Sequence, residues 1–162
     1  MVDKDLFLYG LAVVAIMKNE GAYLKEWLDY HLAAGVDHFY LYDNESPDNQ
    51  SEVAKPYIEA GLVTYTPFPG KNMQYPAYND AVKRFKFQSR YMAFIDGDEF
   101  IYPKMNIGGG VLLKSSTKFY QTFQTQAAWQ LIGNVSAPTD RRKPIILAAC
   151  WRGLLGVRPK IG

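Results

Sequence analysis

Apolar and polar positions along the first hundred residues are arranged in short blocks. Residues 11–16, Leu-Ala-Val-Val-Ala-Ile, form a continuous apolar run that ends at Lys18-Asn19-Glu20-Gly21. This is the pattern of a buried strand entering a polar turn. Leu24, Trp27, Leu28, His31 and Leu32 then recur at helical spacing, with Asn19 available as a cap and Gly35 as a stop. A second strand is predicted at 39–42, closing in the turn-forming cluster Asp43-Asn44-Glu45-Ser46-Pro47-Asp48. Residues 51–60 predict a helix ending at Gly61, with Pro56 marking a break or a late start. Strands at 62–65 and 91–95 flank a helix over 77–90 that carries Ala77, Tyr78, Ala81, Val82 and Phe85 on one face. The last strand stops at Asp96-Gly97-Asp98-Glu99-Phe100.

Strands alternating with helices predict an α/β fold with parallel pairing through right-handed crossovers. Ligands in such sheets bind beyond the carboxyl ends of the strands. The polar clusters at 18–21, 43–48 and 96–99 each follow a strand, so they are expected to meet along one edge.

Composition narrows the classes. With 162 residues, 48% apolar and 21% charged, the chain can bury a core and is not globally disordered. The one cysteine, Cys150, excludes an internal disulfide framework. No apolar run approaches the roughly 20 residues of a spanning helix. The start, MVDKDLFLYG, lacks the basic region of a secretory signal. The net charge of +2 hides an asymmetry, since residues 1–103 carry −6 and residues 104–162 carry +8.

Asp96 and Asp98 flank a glycine after an apolar strand. Gly97 is expected to allow a sharp turn, so that both carboxylates face one hard divalent cation. Mg²⁺ or Mn²⁺ held this way completes its shell with water and substrate phosphates. The plain alternative is a pair of solvated turn residues. Asp43 could accept a hydrogen bond from a nucleobase or ribose, or could serve as a turn residue. Asn19 and Glu20 are equally open between a ligand role and a helix start. His31 and His38 are poor metal candidates, and Trp27 is most simply core.

Three segments carry a resemblance: IMKNEGAYLKEWLDYHLAAGVDHFYLYDNESPDN, QYPAYNDAVKRF and YMAFIDGDEFIYP. Their residues, order and spacing resemble the nucleotide-sugar-dependent glycosyltransferases of the family 2 and family 92 type, including proteins grouped as domain of unknown function 23. The likeness covers roughly residues 11–103. It implies the GT-A fold, a Rossmann-like, mostly parallel sheet with helices on both faces and an Asp-x-Asp metal site. On that resemblance Asn19 and Glu20 line the nucleotide pocket, Asp43 contacts the base, and Asn79 and Asp80 border the donor site. Asp96 and Asp98 match the Asp-x-Asp, with Asp98 the better candidate for direct metal contact. It further implies a nucleotide-diphospho-sugar donor, a glycan or lipid-linked acceptor, and Mn²⁺ or Mg²⁺. Polysaccharide or lipopolysaccharide synthesis, in the cytoplasm or peripherally at a membrane, would follow.

After Tyr102-Pro103 the likeness fades. Residues 104–162 are weakly patterned and basic, hold Asp140 as their only acid, and show no base-bearing motif. The expectation is a donor-binding α/β half over 1–103 followed by a truncated or frameshifted tail, with the fold incomplete at its C-terminus. An inactive remnant that binds nucleotide and metal is the alternative function. Diguanylate cyclases and haloacid dehalogenase phosphatases share fragments of the Asp-Gly-Asp-Glu-Phe string but lack its context here. The tail's charge without a recognisable motif gives no reason to expect nucleic-acid binding.

Overall fold

The computed structural model describes residues 7–101 together with the backbone of 145–148 and 158–159. Strand β1 (Tyr9–Met17) is followed by α1 (Gly21–Ala33), β2 (His38–Asp43), α2 (Gln50–Glu59), β3 (Val63–Pro67), α3 (Gln74–Phe85) and β4 (Ser89–Phe94). Three short strands complete the described set: β5 (Glu99–Phe100), β6 (Ile145–Ala148) and β7 (Arg158–Pro159). The main sheet has the order β3-β2-β1-β4-β6 with every neighbour parallel. A separate antiparallel pair joins β5 to β7.

The continuous apolar strands are explained by cover on both faces. Leu11, Val13, Ala15 and Met17 of β1 pack with Leu24, Trp27 and Leu28 of α1 and Ala54 of α2. Ala12 and Val14 point the other way, into a cluster with Ala77, Ala81 and Phe85 of α3. Successive side chains of a strand face opposite ways, so a strand between two helical layers needs apolar residues at every position. The ring of Tyr40 on β2 stacks on Phe85, with centroids 4.1 Å apart.

Local chemistry departs from the sequence reading at three points. Asn19 does not cap α1: it sits at φ 61, Glu20 takes the cap position, and Glu20 makes no side-chain cap bond. Pro56 neither breaks nor delays α2, which begins at Gln50 and runs through it. The missing Pro56 N–H leaves only the carbonyl of Glu52 without its usual donor, and Glu52 is exposed to water. Gly97 does lie in the expected sharp turn, which the Glu99 N–H closes on the Asp96 carbonyl at 3.1 Å, and it needs no positive φ to do so. A β-carbon at Gly97 would meet Glu20 Cγ and Met17 Cγ and Cε at 3.4 Å, an ordinary contact distance. Finally, Ile145–Ala148 lies within the region read as weakly patterned, yet it adds an edge strand beside β4. A four-residue apolar run is too short to show a period. Asp140 and most of the basic segment lie outside the described residues.

Candidate functional site

The parallel register sets the carboxyl ends of β1, β2 and β4 side by side, with Met17 paired to Asp43 and Val14 to Phe94. The three polar loops therefore leave the sheet along one edge, as the alternation of elements predicts.

Two of these loops are joined tightly. The backbone N–H groups of Asn19, Glu20 and Gly21 each donate to a side chain from the β2–α2 segment. Their acceptors are Ser46 Oγ at 3.1 Å, Gln50 Oε1 at 3.1 Å and Asp48 Oδ2 at 2.8 Å. The other oxygen of Asp48 accepts from the Gln50 N–H at 3.1 Å. One carboxylate thus serves the first helical residue of both α1 and α2, where unbonded donors and the positive end of the helix dipole favour an anion. Gln50, only 1% exposed, also donates through Nε2 to Asp43 Oδ1 and to the Tyr65 hydroxyl. Its burial is tolerated because its amide is fully used. The Tyr65 phenol is pushed up to about 12, chiefly by burial.

Asp43 keeps its place at the end of β2 through bonds from the Ser46 N–H (3.0 Å) and Gln50 Nε2 (3.2 Å), both on Oδ1. Asn44 fastens the loop after β3, donating to the carbonyls of Phe68 (3.0 Å) and Gly70 (2.9 Å).

The third loop folds on itself and meets α3. The Asp96 N–H donates to Glu99 Oε2 at 3.1 Å, and the Glu99 N–H returns to the Asp96 carbonyl at 3.1 Å. Gln74 Nε2 donates to Asp96 Oδ1 at 2.9 Å, and the Tyr78 hydroxyl reaches the same oxygen at 3.4 Å. Behind the loop, Trp27 Nε1 donates to the Glu99 carbonyl at 2.8 Å. His31 is wholly buried, with Nδ1 at 2.7 Å from the Trp27 carbonyl and Nε2 accepting the Ile101 N–H at 3.2 Å. That pair of partners requires the neutral tautomer with its proton on Nδ1. Burial lowers His31 to about 4.

Of the residues named from sequence, Asp96 and Asp98 are exposed at the rim, and Asp98 makes no hydrogen bond or ion pair with another described residue. Glu20 is half-buried against Gly97, and Asn19 is exposed beside it. Asn79 is exposed on α3. Asp80 is turned to a supporting task, since its Oδ2 accepts from the Tyr42 hydroxyl (2.8 Å) and from Arg84 Nη1 (3.1 Å). Sequence reasoning overlooked Ser46, Asp48 and Gln50 as partners of the first loop, and Gln74 and Tyr78 as partners of Asp96. Each bond joins residues 18 to 30 positions apart, a separation to which local periodicity is blind.

The donor set bears on a cation. Among the described residues no three His, Cys, Asp or Glu side chains gather to enclose a metal ion. Two exposed carboxylates instead suit a hard ion that retains water and takes further oxygens from a substrate phosphate. The residues present fit Mg²⁺ or Mn²⁺ in that form.

Residues 14–131 match the family model for glycosyltransferase family 92. The chain belongs to that family. A family 92 protein of Arabidopsis thaliana is 29% identical over 78% of this chain and 22% of its own length. A galactan beta-1,4-galactosyltransferase of the same plant is 36% identical over 49% of this chain and 17% of its own. The chain spans about a fifth of the length of the curated relatives it matches. The family match runs beyond residue 103, where the sequence likeness was expected to fade. Among solved structures, S. aureus TarS 1-349 in complex with UDP aligns with a TM-score of 0.45 and 18% identity, over 57% of this chain and 28% of that one.

Proposed function

We propose that this chain binds a nucleoside-diphosphate sugar at the carboxyl edge of its sheet and supplies the donor side of glycosyl transfer to an acceptor hydroxyl. Family membership supports the reaction class. The observation that carries the reading is how the rim distributes its polar groups. In many parallel α/β sheets a diphosphate is met by the free N–H groups at the start of the first helix. Here the N–H groups of residues 19 and 20, which lead into α1, and of Gly21, its first residue, are already bonded to Ser46, Gln50 and Asp48. The carboxylates of Asp96 and Asp98, by contrast, stand exposed a loop away. A rim built this way favours recognition of the diphosphate through a cation.

In this reading Asp98 is the principal contact for Mn²⁺ or Mg²⁺ and Asp96 shares the ion or the donor. The bound ion would neutralise charge on the diphosphate leaving group. Asn19 and Glu20 line the nucleotide side, and Asp43 offers Oδ2 to the base, its Oδ1 being committed to Gln50 and Ser46. Asn79 borders the donor, while Asp80 steadies Tyr42. The acceptor oxygen attacks the anomeric carbon as the bond from that carbon to the phosphate oxygen breaks, and the acceptor proton passes to a base. No described residue is assigned that role. Two relatives are named as galactan galactosyltransferases, so a nucleoside-diphosphate galactose is the first donor to try and a polysaccharide the first acceptor.

Calorimetry with UDP, GDP and CDP in the presence of Mn²⁺ tests the site. Asp98→Ala should abolish metal-dependent binding without changing the melting temperature, since the side chain is exposed and unbonded. Equal affinity in variant and parent would refute the assignment.

A further inference from the structure

We infer that Gln74 and Tyr78 are positioning residues that set the orientation of the Asp96 carboxylate, so that the start of α3 governs donor affinity through Asp96. This rests on the proposed donor site and specifies what holds it in order.

Both side chains converge on a single atom. Gln74 Nε2 and the Tyr78 hydroxyl lie 2.9 and 3.4 Å from Asp96 Oδ1, and 3.3 Å from each other. No described residue bonds Oδ2, which is left for a cation or donor. A carboxylate on an exposed loop otherwise rotates freely, and binding must then fix it at an entropic cost. Bonding one oxygen in advance removes part of that cost.

The supports of the two donors are themselves fixed. The ring of Tyr78 packs against Phe94 at the end of β4, with centroids 4.9 Å apart and planes at 62°. This carries the hydroxyl past the strand toward the loop that follows it. Gln74 is the first residue of α3, whose cap residue Met73 makes no side-chain cap bond. The Gln74 amide nitrogen crosses to the neighbouring loop. The chain leading into α3 is tied by Asn44, through Phe68 and Gly70, to the end of β2.

The experiment measures affinity for whichever of UDP, GDP and CDP binds most tightly with Mn²⁺. Gln74→Leu and Tyr78→Phe keep helix propensity and the ring packing while removing one donor each. Each should weaken binding about threefold, the scale of the ordering cost of one side chain. The double variant should lose well over tenfold, beyond the roughly ninefold product of the single losses, because each donor partly covers for the other. In an Asp96→Ala background neither change should weaken binding further, whereas a general effect on α3 would persist there. Parent-like affinity in the double variant, or an undiminished loss without Asp96, would overturn the inference. Asp98→Ala run alongside separates the failures. If it abolishes binding while the double variant matches the parent, the site stands and the positioning role falls. If the parent binds none of the three nucleotides, both fall together.

Discussion

Lowering the pH from 7 to 4.5 protonates histidines in the unfolded chain but leaves His31 neutral in the folded one. Its folded value is about 4 against an ordinary 6.5, because burial disfavours the cation; its bond to the Trp27 carbonyl opposes this but is the weaker influence. The unfolded state therefore binds more protons throughout that interval, and stability must fall as the pH falls. The loss begins as pH drops through 6.5 and ceases to grow below about 4. Integrated from pH 7 to 4.5, one such group removes about 2 kcal/mol, a large fraction of a small domain's stability. His38 is also lowered by burial, and carboxylates add their own contributions, so the measurement has to be differential. Urea unfolding of the parent and of His31→Gln at several pH values provides it. The variant starts less stable at pH 7, having lost the fit between the Trp27 carbonyl and the Ile101 N–H. The parent's advantage should then shrink by about 2 kcal/mol by pH 4.5. A gap that stays constant, or widens, would show that the imidazole takes up its proton in the folded state and would refute its reading as a buried neutral link.

Two further outcomes concern the joined loops. Asp48→Ala removes the acceptor for Gly21 and Gln50 N–H groups together and should cost about 1–2 kcal/mol in urea unfolding, while Asp48→Asn retains part of it. Gly21→Ala should be more severe, because its β-carbon would overlap Asn49 Oδ1 and sit 2.9 Å from the backbone nitrogen of Gln50, which cannot swing aside. Loss of about 2 kcal/mol or more is expected, and a neutral result would mean that the two helix starts separate readily.

The parts of this molecule written in local pattern were legible from sequence. Leu11 to Ile16 announced a strand covered on both faces, and the turn-formers after each strand marked the rim. Gly35 and Gly61, at φ 100 and 73, end their helices as the spacing implies. What stayed hidden depends on partners distant in the chain. Asn19 reads as a cap until Gln50 and Asp48 arrive from thirty residues away and satisfy the donors instead. Pro56 reads as a breaker because sequence does not show that Glu52, whose carbonyl loses its donor, is an exposed residue. Asp96 and Asp98 were identified as a pair, but the Gln74 and Tyr78 bonds that distinguish one carboxylate from the other exist only once α3 lies against β4.

The shared use of Asp48 and Gln50 has a practical corollary for exchanging parts between relatives. Transplanting residues 18–21 from a homologue without residues 43–50 would strip three consecutive amide protons of their acceptors, and the reverse graft would strand a buried glutamine. Altered specificity at the proposed donor site is therefore best sought by replacing both segments as one cassette, since Asp43 itself holds Ser46 and Gln50.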